Sequence, residues 1–287
     1  MKRLLLAFVA VVVWAIPVAP AAADGALDRA GAFLAQSLDA DGCAREPGGQ
    51  PSANLTAWTA LGLVAAARSA AQSGNCLAAR VREARSATDI EIVILGLVAA
   101  GRDPRTAGGR DLVAALQAQF RGGRIGPTPA SNQFGILALR AAGAPIPAAA
   151  RATLMADQNA DGSWPIYAGG DGDSNLTASG IAAAIAAGIP ASDARVTRAV
   201  RALAAYRTAQ GGYGVAKGRP ADAQSTGWVL QGLAAVGRRD ARAEAYLRGL
   251  QGADGAILYQ RGTRTTPVWV TAQATVGLAA RAFPLRP

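Results

Sequence analysis

The chain has 287 residues, 51% of them hydrophobic, with no histidine, two cysteines and a formal net charge of +10. Lack of histidine removes Ser-His-Asp chemistry and zinc sites built on imidazole. The positive charge is almost all arginine and forms no dense run interleaved with aromatics, so nucleic acid is not an expected partner, whereas an anionic envelope surface is compatible with it.

Residues 1–23 read as a secretory signal peptide: Lys2 and Arg3, an apolar run over 4–16, Pro17, then Ala21, Ala22 and Ala23 before Asp24. Set aside with the leader, Lys2 and Arg3 leave a charge of +8. The apolar run is too short to span a bilayer and no cysteine follows it, so the mature chain is expected to be soluble, extracytoplasmic and not membrane-spanning. Its length suits one domain over 24–287.

The first hairpin opens at Asp28-Arg29-Ala30 and ends at Asp41-Gly42-Cys43; a Pro- and Gly-rich loop then leads to Asn54-Leu55-Thr56, the start of an apolar second helix. Cys43 and Cys76 read as a disulfide in an exported chain, two free thiols being the alternative. An inner helix of about 14 residues would separate them by some 21 Å. A short second outer helix, limited to about 77–85, lets residues 69–75 climb back. Thr88-Asp89-Ile90-Glu91 reads as a T-x-x-E capping box, which accounts for Glu91 and leaves Asp89 without a structural role. The third repeat turns at Arg121-Gly122-Gly123 into Ser131-Asn132-Gln133-Phe134. The fourth, 154–188, turns at Asp161-Gly162 into Trp164 and takes Asn175 as the N-cap of a helix ending at Gly188. The fifth turns at Gly211-Gly212 and the sixth at Gly255.

Six copies of the apolar helix end at Ala67, Gly101, Gly143, Gly188, Gly237 and Ala282, spaced by 34, 42, 45, 49 and 45 residues. Such a period suits helical hairpins and exceeds tetratricopeptide or ankyrin units.

In the sixth repeat, Arg242, Ala243, Tyr246-Leu247, Gln251, Gly255 and Ile257 follow an order of basic, small, aromatic-Leu, Gln and Gly-x-Trp, with Ile257 for the Trp. The fourth repeat matches in Leu154, Gln158, Gly162 and Trp164, and the first in Arg29, Ala30, Phe33, Leu34 and Gly42. This pattern resembles the repeat of the squalene cyclase and protein prenyltransferase superfamily. The resemblance implies an all-α fold, an α6/α6 toroid of six inner and six outer helices, with every inner-helix N-terminus at one mouth. It does not carry over the prenyltransferase zinc, for want of a His, nor the complement thioester, for Gly42-Cys43-Ala44-Arg45-Glu46 is not its motif. The cyclases protonate an alkene with the middle Asp of Asp-x-Asp-Asp. Asp171-Gly172-Asp173-Ser174 matches all but the last position, which makes Asp173 a candidate general acid and Asp171 the like charge that would raise its pKa. Aspartates 171 and 173 with Asn175 also begin a calcium-loop spacing, but Leu176 and Ala182 stand where its Gly and Glu belong.

At the mouth, the aligned columns mix amides, hydroxyls and aromatics, as a small-molecule pocket requires. The candidate ligand-binding residues are Asn54, Trp58, Asp89, Asn132, Gln133, Asn175, Gln224, Trp228 and Trp269. In the alternative, the polar residues cap helices and the Trps fill the core. No cofactor is expected. The expected activity is binding of a small molecule, cobalamin-like or isoprenoid-like by the resemblance to toroidal carriers and cyclases, with a possible envelope or transporter partner; the alternative is a reduced terpene-cyclase-like isomerase using Asp173.

Overall fold

Two chemical types of helix alternate through residues 25–287, which the computed structural model describes. The odd-numbered helices carry a polar face and, after α1, are short: α1 (Gly25–Gln36), α3 (Ala71–Ala79), α5 (Leu112–Gln117), α7 (Ala148–Ala156), α9 (Ala194–Ala202) and α11 (Ala241–Gly249). The even-numbered ones are buried on nearly every side: α2 (Ala53–Ala65), α4 (Ala87–Ala99), α6 (Pro129–Ala141), α8 (Ser174–Ala186), α10 (Ala223–Ala235) and α12 (Pro267–Leu278). Helices without a polar face must be enclosed. Each even helix packs on the next and α12 packs back on α2, which closes a ring of six inside a ring of six. This is the expected α6/α6 toroid. Among the described residues the only strands are two short hairpins, β1 (Phe120–Arg121) with β2 (Arg124–Ile125) and β3 (Trp164–Pro165) with β4 (Gly172–Asp173). The leader reading over 1–23 lies outside the described residues.

Closure depends on small residues at the inner seams. A methyl group on Gly62 would come within 2.9 Å of the Ala272 backbone, on Gly96 within 2.7 Å of Ala57, and on Gly232 within 2.8 Å of Ala178. Outer turns are tied inward by one recurring bond. The hydroxyls of Thr56, Thr177, Thr226 and Thr271 accept from the backbone N–H of Ala44, Trp164, Tyr213 and Ile257 at 2.8–3.1 Å, and the amide of Asn132 does the same for Ile125. A second bond ties repeat to repeat. Gln158 donates to the carbonyls of Gly162 and Arg195 and accepts from Arg198; Gln251 donates to Gly255 and Ala26 and accepts from Arg29. The glutamine of the repeat pattern is therefore a clip, and Gln251 joins the last repeat to the first.

Helix starts differ from the sequence reading by one or two residues. Asp173, not Asn175, caps α8, its carboxylate accepting from Leu176 N at 2.7 Å. Ser86 caps α4, and its box partner is Asp89, whose carboxylate accepts from Ser86 N at 3.1 Å. Thr88 and Glu91 do not form the expected pair. In each case the polar residue nearest the preceding extended segment captures the cap, because only a residue with non-helical backbone can aim its oxygen at the N3 amide. At α12 the capping residue Thr266 makes no side-chain cap; Glu46 of the first repeat instead accepts from Val268 N at 3.0 Å and Trp269 N at 2.8 Å. A carboxylate at a helix N-terminus is well placed for both orphan amides and dipole.

Cys43 and Cys76 are bonded, with Cα atoms 5.3 Å apart. The second outer helix begins at Ala71 rather than near residue 77, and a 3-10 turn, Val81–Glu83, follows it. Its first turns carry Cys76 back to the turn that holds Cys43, where Gly42 lies against the Gln72 backbone.

Candidate functional site

Ring closure decides which helix faces look inward. Trp58 of α2, Phe134 of α6 and Trp228 of α10 meet edge to face at the centre of the ring, with centroids 5.5–6.3 Å apart. These residues, with Ile92, Ser179 and Gln273, form the column four places after Asn54, Thr88, Ala130, Asn175, Gln224 and Trp269. Since residues four apart share a helix face, the latter set lies one turn nearer the mouth on the same side. Asn54, Asn175 and Gln224 are half-buried there, and Trp269 is 38% exposed. The mouth is thus a rim of amides and one Trp above an aromatic floor.

From the opposite end the chain's own C-terminal segment closes the ring. Phe283 packs on Trp58 and Trp228 at 6.1 and 5.9 Å. Arg281 donates to the Val64 carbonyl in the last turn of α2 and Arg286 to the Ala141 carbonyl at the end of α6. Sequence alone gave no reason to place Phe283 in the centre, because it belongs to no repeat.

Several candidates have structural duties. Asn132 is fully buried, bridging Ile125 N and the Ala150 carbonyl. Gln133 reaches across to Ser179, and its Nε2 has no partner. Asp89 serves the α4 cap. Asp173 is 8% exposed; burial raises its pKa, and the N–H groups of Leu176 and Asn175 pull it back. Asp171 is exposed and has no part in that shift. Asp222 caps α10 in the same way, and burial raises its pKa as well. Glu91, set aside in the sequence reading as a capping residue, is wholly buried on α4 with neither carboxylate oxygen partnered, and burial raises its pKa well above the ordinary value.

No family model matches the sequence, and no curated protein matches it. Solved structures do. A variant of the type II terpene cyclase MstE from Scytonema, bound to geranylgeranyl dihydroxybenzoate, superposes with a TM-score of 0.71 at 16% identity, covering 89% of this chain and 96% of the cyclase. A wild-type glycosidase gives 0.65 at 14% over 90% and 97%. Protein geranylgeranyltransferase-I of Candida albicans gives 0.54 at 12% over 67% and 66%. The fold is that of the terpene-cyclase-like toroids. Within such a toroid, no cluster of three or more His, Cys, Asp or Glu suited to a metal occurs among the described residues, and no described helix is long and apolar enough to cross a membrane.

One further concavity lies outside the ring. Between the fifth and sixth repeats at the mouth end, a groove of about 810 Å³ is lined by Arg207, Arg219, Arg242, Tyr246, Leu250 and Arg261. The signal for it was present in the sequence as Gln210, standing where the Gly turns of the first, fourth and sixth repeats carry the aspartates 41, 161 and 254.

Proposed function

We propose that the chain acts outside the cytoplasm as a non-catalytic binding module, holding a small isoprenoid-like molecule at the inner-helix mouth. The observation that carries this reading is the aromatic floor of Trp58, Phe134 and Trp228. It lies one turn below the amides of Asn54, Asn175 and Gln224, with Phe134 half-buried and the two Trps buried, and it leaves the ring's centre filled rather than hollow. A chain that must fold and cyclise needs an enclosed cavity around it, whereas a bound ligand needs only a seat and a few orienting groups. The Cys43–Cys76 bond supports an oxidising compartment.

The cyclase-like isomerase reading rests on Asp173, whose buried carboxyl has a raised pKa. Its cap role, shared with Asp222, accounts for that burial without catalysis. Asn caps a helix as well as Asp does, so Asp173→Asn separates the acid from the cap. Native mass spectrometry of the exported chain is expected to show a discrete added mass that survives Asp173→Asn and is lost in Trp269→Ala. A bare chain that takes up neither isoprenoids nor cobalamins would overturn the binding reading. Turnover of a geranylgeranyl chain, abolished by Asp173→Asn, would replace it with the cyclase.

A further inference from the structure

The groove between the fifth and sixth repeats differs from its neighbours in charge. At each of three other turns an aspartate precedes a glycine of positive φ: Asp41-Gly42, Asp161-Gly162 and Asp254-Gly255. Two of these carboxylates neutralise a nearby cation, Asp161 pairing with Lys217 at 3.1 Å and Asp254 with Arg264. In the fifth repeat the same place is taken by Gln210, before Gly211 with φ of 98°. Gln210 lines the groove, and no acidic side chain does.

Four arginines meet there. Arg207 is committed to Asp240 and lies over the Tyr213 ring. Arg242 has no acidic partner among the described residues; its guanidinium donates to the Ala209 carbonyl. Its stem is held against Gly211, where a Cβ would come within 2.7 Å of Cγ. Arg219 and Arg261 are exposed on the loops before α10 and α12, and neither has an ion pair among the described residues. The floor is built rather than incidental. Tyr246 Oη and Gln260 Nε2 both donate to the Ala221 carbonyl, at 2.7 and 3.2 Å, and the Tyr246 ring fits against Gly212, where a Cβ would lie 2.5 Å from it. Burial pushes the Tyr246 hydroxyl up to about 12, so it stays a donor. The acid of Asp222 is spent on its cap.

We infer that this groove is a binding site for a multiply charged organic oxyanion, its acidic groups held by Arg219, Arg242 and Arg261 and its apolar part laid along Tyr246 and Leu250. Planar guanidinium forks match phosphate and carboxylate oxygens two at a time, and three forks without an acidic partner among the described residues, around a concave apolar wall, select for more than one acidic group. The site is separate from the mouth column and does not depend on what the mouth binds.

Isothermal titration of the full chain tests it. Inorganic pyrophosphate and citrate distinguish a phosphate source from a carboxylate one, and at least one should bind saturably at one site per chain. The double variant Arg219→Gln/Arg261→Gln should weaken that binding by roughly tenfold or more, and Gln210→Asp, which installs the aspartate of the first, fourth and sixth turns, by roughly threefold. A control of equal charge loss, Arg121→Gln/Arg151→Gln on the distant third and fourth repeats, should leave it unchanged. Equal losses in the two double variants, or no saturation with either anion, would overturn the site in favour of bulk attraction to a basic surface. Dodecyl phosphate should bind more tightly than inorganic phosphate; equal affinity would remove the apolar wall from the proposal.

Discussion

The inner helices α8 and α4 stand two repeats apart in the same ring. In the first two turns of α8, Asp173 caps, Ser174 donates to Asn175, Thr177 holds Trp164 N, and Ser179 bonds Gln133. At the places of Thr177 and Ala178, α4 has Ile90 and Glu91. The hydroxyl that would fasten an outer turn is missing, and a carboxyl without a partner is buried instead. The ring tolerates this at α4 because the second repeat is fastened by other means. Its outer helix is bonded covalently through Cys76 to the first turn, and Glu83 accepts from Ala53 N at 3.1 Å. Fastening by hydroxyl and fastening by sulfur are thus alternatives at the same structural level.

Removing the covalent fastening should have the largest effect. The Cys43–Cys76 bond spans 33 residues, a loop for which chain entropy gives about 3–4 kcal/mol of stabilisation. Urea unfolding of Cys43→Ser/Cys76→Ser should show that loss, with amides of α3 and α4 exchanging first. A loss below about 1 kcal/mol, or exchange spread evenly around the ring, would mean that the second repeat has another anchor.

Thr177→Val tests the hydroxyl fastening. The change keeps the shape and leaves the buried Trp164 N–H unpaired, so a cost of about 1–3 kcal/mol is expected in the same assay. Ile90→Val, at the equivalent place in α4, removes one methylene and should cost no more than about 1 kcal/mol. Equal costs at the two positions would break the distinction between the helices.

Much of the architecture was legible before any coordinates. The inner helices are apolar all round and stop at small residues every 34 to 49 residues, and the Gln of the repeat pattern marks the clip that Gln158 and Gln251 make. The interior of the ring was not legible. Trp58 and Trp228 are 170 residues apart, and only closure of the ring shows that they touch; Phe283 lies in no repeat and so carried no register. Capping was misplaced for a local reason. Ser86, Thr88, Asp89 and Glu91 compete for one helix start, and sequence cannot tell which of them still has extended backbone. That error made Glu91 look explained when it was not.

Glu91 gives the most specific expected effect. Burial without a partner disfavours its charged form, so its folded pKa lies well above that of an unfolded glutamate, which is about 4.3. Asp89 adds to the shift as a like charge. The folded state therefore binds the proton more tightly than the unfolded chain, and stability must fall as pH rises from the unfolded pKa towards the folded one. Below the unfolded value the penalty is absent. Glu91→Gln installs the side chain that α6 carries at the same place, Gln133, and removes the ionisation while keeping the size. The variant should match the wild type near pH 4 and be the more stable of the two at pH 7. Unfolding curves of the pair across that range would show two lines diverging with pH. Parallel lines would place a hydrogen-bond partner at Glu91 in solution and return α4 to the same fully partnered state as α8.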